Sequence, residues 1–349
     1  MGDHVRSYAV ADLPGDGIGP EVSAVARSLV DQAGQRHGFT VDWRPCPLGS
    51  DYYLRTGQVL PDDILDDLRK TDAIMLGAVG SPSVPPGVLE RGLLLRLRFD
   101  LDLYVNLRPA RQRPGVETAG ADDLNFVVVR ENTEGLYAGA GGIVHRGTAF
   151  ETATEESLNT RAGVERCVRY AAQLAKQRSG KLTLVHKTNV LTNAGSLWMR
   201  VAEQVAAEQG VRLDYAHVDA ACLYMVSDPG RFDVIVTDNL FGDIITDLAA
   251  ALTGGLGLSA SGNLNPDRTG PSMFEPVHGS APDIAGTGKA NPAGAVLSAA
   301  LMLDHLGEPA AAAELDSAVD AVLAAGGQPT TRAWAEALSA QLAHMEVSR

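Results

Sequence analysis

Short runs of apolar and β-branched residues recur along this 349-residue chain, separated by longer stretches whose apolar positions fall three and four apart. Residues 8–12, 73–76, 126–129, 182–186, 213–218 and 234–237 read as strands. Most are too continuously apolar for a sheet with one wet face. Segments 161–178 and 196–209 carry helical spacing. Strands alternating with helices predict an α/β architecture whose sheet is covered on both sides. The Pro/Gly-rich stretch 81–87 and the polar stretch 263–272 are the expected exposed loops. The Ala-rich tail 309–325 predicts a peripheral helix, followed by a loop at 326–329.

Composition narrows the class. Apolar residues make up 45% of the chain and charged residues 21%, which is ordinary for a globular protein, and the formal charge of −14 excludes a basic nucleic-acid surface. The three cysteines, Cys46, Cys167 and Cys222, are odd in number and widely spaced, which predicts free thiols in a reducing compartment. No apolar run reaches the roughly 18 residues a membrane span needs. The start, Met-Gly-Asp-His-Val-Arg, has no signal-peptide core and fails the myristoylation pattern at Arg6, so a cytoplasmic location is expected.

One glycine motif misleads. Leu-Pro-Gly-Asp-Gly-Ile-Gly at 13–19 follows a strand and precedes a helical pattern. Its glycines, Gly15, Gly17 and Gly19, are spaced GxGxG rather than GxGxxG, and no acidic residue closes a second strand. The pattern does not support a Rossmann fold.

Three arginines stand where they could hold a dianion. Leu93 to Arg98 opens a helix expected to run toward Leu103, with Leu94, Leu95 and Arg98 on one face. Arg108 and Arg130 stand at element edges, where side chains are presented rather than packed. Three guanidinium groups can grip two carboxylates through bidentate hydrogen bonds, and the two leucines could accept an apolar substituent. Taken alone, Arg98 could equally be a side chain snorkelling to water.

The stretch 237–247, Thr-Asp-Asn-Leu-Phe-Gly-Asp-Ile-Ile-Thr-Asp, puts Asp243 and Asp247 on one helical face, where like charges repel. Asp219, after the strand expected to end at Val218, adds a third carboxylate. Such an all-oxygen set suits Mg²⁺ or Mn²⁺. Lys187 follows an apolar strand, and beside a bound dication it could serve as general base; Tyr137, after a glycine-flanked turn, is a candidate proton donor. Residues 274–286 form an irregular loop rich in Gly and Pro, costly to order unless it wraps a ligand.

From Leu-Pro-Gly-Asp-Gly-Ile-Gly-Pro-Glu at 13–21 to Asn291-Pro292, these segments together resemble the β-decarboxylating dehydrogenases that act on isopropylmalate, isocitrate, homoisocitrate and tartrate or malate. The resemblance implies a two-domain fold of the isopropylmalate dehydrogenase type, with a large mixed sheet flanked by helices. Residues 1–103 with 258–349 would form one domain, bearing the cofactor loop. Residues 104–257 would form a second, bearing the dimer contacts and the metal site. It further implies a homodimer with shared sites: Arg98, Arg108, Arg130, Tyr137, Asp243 and Asp247 from one subunit, Lys187 and Asp219 from the other. The loop 278–291 is similar to the family's cofactor loop, which assigns His278, Gly279, Ser280, Ala281, Asp283, Ile284 and Asn291 to cofactor binding. Asp283 and Ile284 stand where NADP-dependent relatives carry Lys-Tyr, so the implied cofactor is NAD: a carboxylate accepts from ribose hydroxyls and repels a 2′-phosphate.

Leu94, Leu95 and Val190 resemble the apolar pocket of the isopropylmalate enzymes. Two departures stand beside this. Many of those enzymes carry a glutamate seven residues before the arginine, where this chain has Arg91, with Glu90 one earlier. Arg-Glu-Asn-Thr-Glu-Gly-Leu-Tyr at 130–137 is closer to the isocitrate and homoisocitrate enzymes. Homoisocitrate, isocitrate or another substituted malate therefore stands as the alternative substrate. A non-catalytic regulatory paralogue and a metal-dependent lyase without NAD are the alternatives of other classes.

Overall fold

The computed structural model describes residues 5–118 and 124–345; the first Met-Gly, where the reading of the N-terminus begins, lies outside them. The strands are β1 (Arg6–Gly15), β2 (Phe39–Pro45), β3 (Ala73–Ala78), β4 (Val105–Arg111), β5 (Asn125–Glu131), β6 (Gly141–Val144), β7 (Thr152–Glu155), β8 (Lys181–His186), β9 (Arg212–His217), β10 (Val234–Thr237), β11 (Ala260–Leu264) and β12 (Ser272–Pro276). The chain divides into two compact units, one of Met1–Leu103, Gln112–Ala119 and Ala250–Arg349, the other of Tyr104–Arg111 and Gly120–Ala249.

In the first unit the strands lie in the order β2-β1-β3-β12-β11, with β11 antiparallel to β12 and the other pairs parallel. β3 is buried at every position, as its unbroken apolar run requires. The helix Gly19–His37 carries Pro20 in its first turn and ends on Gly38 in the left-handed region. It buries Val22, Val25, Ala26, Leu29, Val30 and Ala33, and packs with the helices Ala293–Leu306, Pro309–Ala324 and Thr331–His344. The last of these follows the loop at 326–329 and has no counterpart in the sequence reading. A core of Leu13, Leu48, Ile74, Leu76, Leu93, Leu97, Leu103 and Met273 fills the space behind β1 and β3.

The second unit orders its strands β4-β5-β10-β8-β9, antiparallel at β4–β5 and parallel thereafter. The helix Arg161–Gln177 is capped by Thr160, whose hydroxyl accepts from the Gly163 N–H at 3.0 Å. It packs with Thr192–Gln209 against β8 and β10. β6 and β7 pair as a separate antiparallel hairpin, exposed along its length. Parallel and antiparallel pairs flanked by helices make this a mixed α/β fold, and it is not the all-parallel doubly wound arrangement of a Rossmann domain. Among the described residues no helix is long and apolar enough to cross a membrane, and all three cysteines are free.

Three local expectations need correction. Residues 263–272 are an exposed turn only at their centre, Asp267–Thr269: Asn263 and Leu264 lie in β11, Ser272 opens β12, and Asn263, Asn265 and Ser272 are buried. Their polar groups are satisfied inside, Asn263 donating to Glu275 and Asn265 to the Leu101 carbonyl, so polarity did not force exposure. The helix expected from Leu93 to Leu103 is instead a π-turn at Glu90–Leu95 followed by a short α-helix at Arg96–Asp100. The strand expected to end at Val218 stops at His217, and Asp219 stands in the first turn of the helix Val218–Ser227.

Candidate active site

Arg130 anchors the site in the second unit. It stands in β5 and is only 1% exposed, so it is packed rather than presented at an edge. A buried guanidinium is tolerated only where its donors are matched. Here Nε and Nη2 donate to Asn239 Oδ1 at 3.1 and 2.8 Å, and Nη1 reaches Asp243 Oδ1 at 2.6 Å. Asn239 and Asp243 share the helix Asn239–Leu252, which follows β10, the parallel neighbour of β5. Gly242 between them is obligatory, because a Cβ there would stand 2.4 Å from Arg130 Cγ.

Tyr137 Oη donates to the other oxygen of Asp243 at 2.8 Å, and Arg130 lies 5.1 Å from the Tyr137 ring centre. The turn leading to Tyr137 is fixed by buried carboxylates. Glu131 accepts from the N–H groups of Thr133 and Glu134, and Glu134 accepts from the Thr160 N–H. Asn239 Nδ2 donates to the Glu134 carbonyl at 3.1 Å, tying that turn to the helix.

Arg108, in β4, donates to Thr246 Oγ1 at 2.8 Å and stands 3.5 Å from Asp247 Oδ1. Asp243 and Asp247 are thus each faced by an arginine, so their like charges are compensated within the chain. Repulsion alone does not require a cation. Burial by itself would raise the Asp243 carboxyl, but the charge of Arg130, the Tyr137 hydrogen bond and the charge of Arg108 outweigh it and hold the group low. Burial raises Asp247, with Arg108 opposing and Asp243 adding to the rise. Burial and the neighbouring Asp243 raise Tyr137, so the phenol keeps its proton.

Lys187, one residue past β8, donates to Asp219 Oδ1 at 2.6 Å; this bond holds the Asp219 carboxyl below its ordinary range. Asp219 is 67% exposed at its side chain. Among the described residues of one chain no three His, Cys, Asp or Glu side chains assemble as a metal cluster, so Asp219 does not join Asp243 and Asp247 within a chain. The donor set remains all carboxylate oxygen, which fits a hard dication. Val190, three residues past Lys187, is 64% exposed.

The first unit holds the remaining assigned residues. Arg98, buried, reaches Glu275 Oε1 at 3.3 Å, and its Nε has no partner. Leu94 packs against the core, and Leu95 is half-buried. The π-turn absorbs one extra residue, so Glu90, eight positions before Arg98, falls in the helical phase that seven positions give on an uninterrupted α-helix.

The loop 278–291 is pinned from β1 and its following helix. Ser280 accepts at its carbonyl from the Ile18 N–H at 2.9 Å, and a Cβ on Gly17 (φ +57°) would collide with that same carbonyl at 2.0 Å. Gly286 N donates to Glu21 Oε1 at 2.5 Å. The GxGxG turn is therefore a seat for this loop. Asn291 Oδ1 accepts from the Ala293 N–H at 2.9 Å, His278 is lowered by burial, and Gly279 and Asp283 are exposed. Sequence reasoning missed Asn239, Glu275 and Glu21. Asn239 and Glu275 lay inside stretches it had marked, but nothing in a lone Asn or Glu announces a partner far along the chain.

The fold is mixed α/β in two units, with Arg108 of β4 and Arg130 of β5 paired to Asp247 and Asp243 of one helix, and the comparisons with known proteins place the chain among the dehydrogenases. The family model described as isocitrate/isopropylmalate dehydrogenase matches residues 9–343, and the chain belongs to that family. It is 59% identical over 320 residues, 90% of each chain, to the 3-isopropylmalate dehydrogenase of Thermobifida fusca (strain YX). It is 56% identical over 338 residues to that of Mycobacterium avium (strain 104), covering 95% of this chain and 99% of the relative. Among solved structures, the isocitrate dehydrogenase of Methylococcus capsulatus matches with a TM-score of 0.87 at 39% identity, over 96% of this chain and 99% of the other.

Proposed function

We propose that the protein oxidises and decarboxylates 3-isopropylmalate to 2-oxoisocaproate, a step of leucine biosynthesis, with NAD as hydride acceptor and Mg²⁺ or Mn²⁺ as the ion. The carrying observation is Asp243, gripped by Arg130 and Tyr137 on the helix whose next turn bears Asp247. The curated 3-isopropylmalate dehydrogenases matching nearly the full chain support the choice of substrate.

The working form is a homodimer in which Lys187 and Asp219 serve the partner's site. Val190, Leu191, Leu223, Val226 and Ile244 of the second unit are large apolar side chains left exposed, which supports cover by a second copy. Asp243 and Asp247 with the partner subunit's Asp219 would hold the ion, which would polarise the substrate's C2 oxygen. Arg98, Arg108 and Arg130 bind the two carboxylates. Lys187 of the partner subunit would take the C2 hydroxyl proton, and NAD, when bound, would supply the acceptor for the C2 hydride. The C3–carboxylate bond then breaks, CO₂ departs, and its electron pair forms the enolate. Tyr137, protonated, delivers a proton to C3. Leu94 and Leu95, with Val190 of the partner subunit, would contact the isopropyl group. The loop 278–291 binds the adenosine half, with Asp283 accepting from the ribose hydroxyls. A cytoplasmic location fits three free thiols.

The test is NADH formation with purified protein given 3-isopropylmalate, isocitrate and homoisocitrate in turn, with NAD or NADP, and with Mg²⁺ or chelator. The expected result is turnover of 3-isopropylmalate with NAD, at least tenfold above the others in kcat/KM, and none with chelator. Preference for a tricarboxylate, or ion-independent turnover, overturns the reading.

A further inference from the structure

β8 and β10 are parallel neighbours whose last paired rung sets Thr237 beside Val185. One residue further on, His186 and Asp238 stand next to each other at the strand ends. His186 is fully buried, and neither ring nitrogen has a hydrogen-bond partner. Its ring is boxed by Trp198 and Phe241, centroids 5.9 and 5.5 Å away. The polar group facing it is Asp238 Oδ2, 3.6 Å from Nε2, just beyond hydrogen-bond length. Asp238 is itself 6% exposed, and its Oδ1 accepts from the Phe241 N–H at 2.8 Å, capping the first turn of Asn239–Leu252. The other charges acting on Asp238 are Glu131 and Arg130, both of β5.

A neutral imidazole always has one N–H to give, and leaving it unmade in an apolar box is costly. Burial pushes His186 down to about 4 and Asp238 up to about 6. Near neutral pH the two are therefore a neutral donor and an ionised acceptor.

We propose that His186 and Asp238 close to a hydrogen-bonded pair in the working enzyme, Nε2–H donating to Oδ2, and that His186 is thereby a positioning residue. The pair joins the strand end from which Lys187 departs to the first turn of the helix carrying Asp243 and Asp247. This rests on the roles proposed for those three residues. In the proposed dimer the two elements serve opposite sites, so the pair ties one protomer's contributions to both.

Asp238→Asn isolates the pair from the cap. The asparagine spends its one oxygen on the Phe241 N–H and turns an amide N–H toward the imidazole, so Nε2 must give up its proton and accept in the other tautomer. Protein labelled with ¹⁵N-histidine is expected to show a His186 Nε2–H resonance protected from exchange, lost in Asp238→Asn. That readout does not depend on the reaction, so it separates failure of the pair from failure of the catalytic roles. In steady-state assays His186→Leu is expected to lower kcat about tenfold with KM for substrate and NAD within about twofold. His186→Gln, which can still donate, recovers most of the loss. The double variant His186→Leu/Asp238→Asn falls no further than His186→Leu. Absence of the protected resonance, its survival in Asp238→Asn, or additive losses in the double variant overturn the proposal. The His186→Gln and Asp238→Asn variants keep it testable if His186→Leu does not fold.

Discussion

Tyr137 Oη and Asp243 Oδ2 lie 2.8 Å apart, the phenol donating to a carboxylate whose other oxygen is held by Arg130. This relationship gives Tyr137 a protonated hydroxyl at the point where a carbanion is expected to need one. Tyr137→Phe removes the proton and one support of Asp243. The expected outcome is a loss of about 10²-fold or more in kcat with a small change in KM. Retention of deuterium wash-in at C3 at the native rate would reject Tyr137 as donor.

Lys187→Met removes the proposed base but keeps most of the length of the side chain. Turnover should fall below a few per cent while NADH binding, read by fluorescence titration, is unchanged, because the proposed cofactor loop, 278–291, belongs to the other unit. The salt bridge to Asp219 is lost as well, but Asp219 is exposed, so solvent screening keeps the cost in stability small.

Leu95→Ser and Leu94→Ser should separate substrate contact from packing. Leu95 is half-buried outside the core, so its replacement is expected to cost 3-isopropylmalate about tenfold in kcat/KM with little change in Tm. Leu94 packs on the core and should lower Tm in addition. An unchanged kcat/KM in Leu95→Ser would remove it from the pocket.

His305 is pushed down to about 4 by burial, with Arg268 adding to the fall, and its ring packs 5.5 Å from Phe274. The unfolded chain, with histidine near 6.5, binds more protons than the native state between these values. Stability from this group is therefore full above about 6.5 and lost as pH falls toward 4. Urea unfolding of wild type and His305→Leu across that window should show the variant losing less stability on acidification. Parallel curves would mean His305 titrates as an ordinary histidine.

The legible part of the site was its residue types. Asp243 and Asp247 at helical spacing, Lys187 past an apolar strand and the odd leucines before Arg98 carry chemistry that local sequence displays. The loop 278–291, the proposed cofactor loop, was visible as a Gly/Pro-rich stretch, but its seat on Gly17 and Glu21 was not, because contacts between residues about 265 apart leave no local trace. The departure at Arg91 looked like a missing glutamate until the π-turn restored the phase of Glu90.

The order of apolar runs and helical spacings fixed the α/β class, since periodicity is set by backbone geometry and survives any arrangement of elements. Which polar groups are buried was decided by the tertiary structure alone. Arg130, Asn263 and Asn265 look exposed by type, yet each can be buried because a distant partner matches its donors. Burial of a charge or amide is a property of the pair, and a chain read one residue at a time shows only half of it.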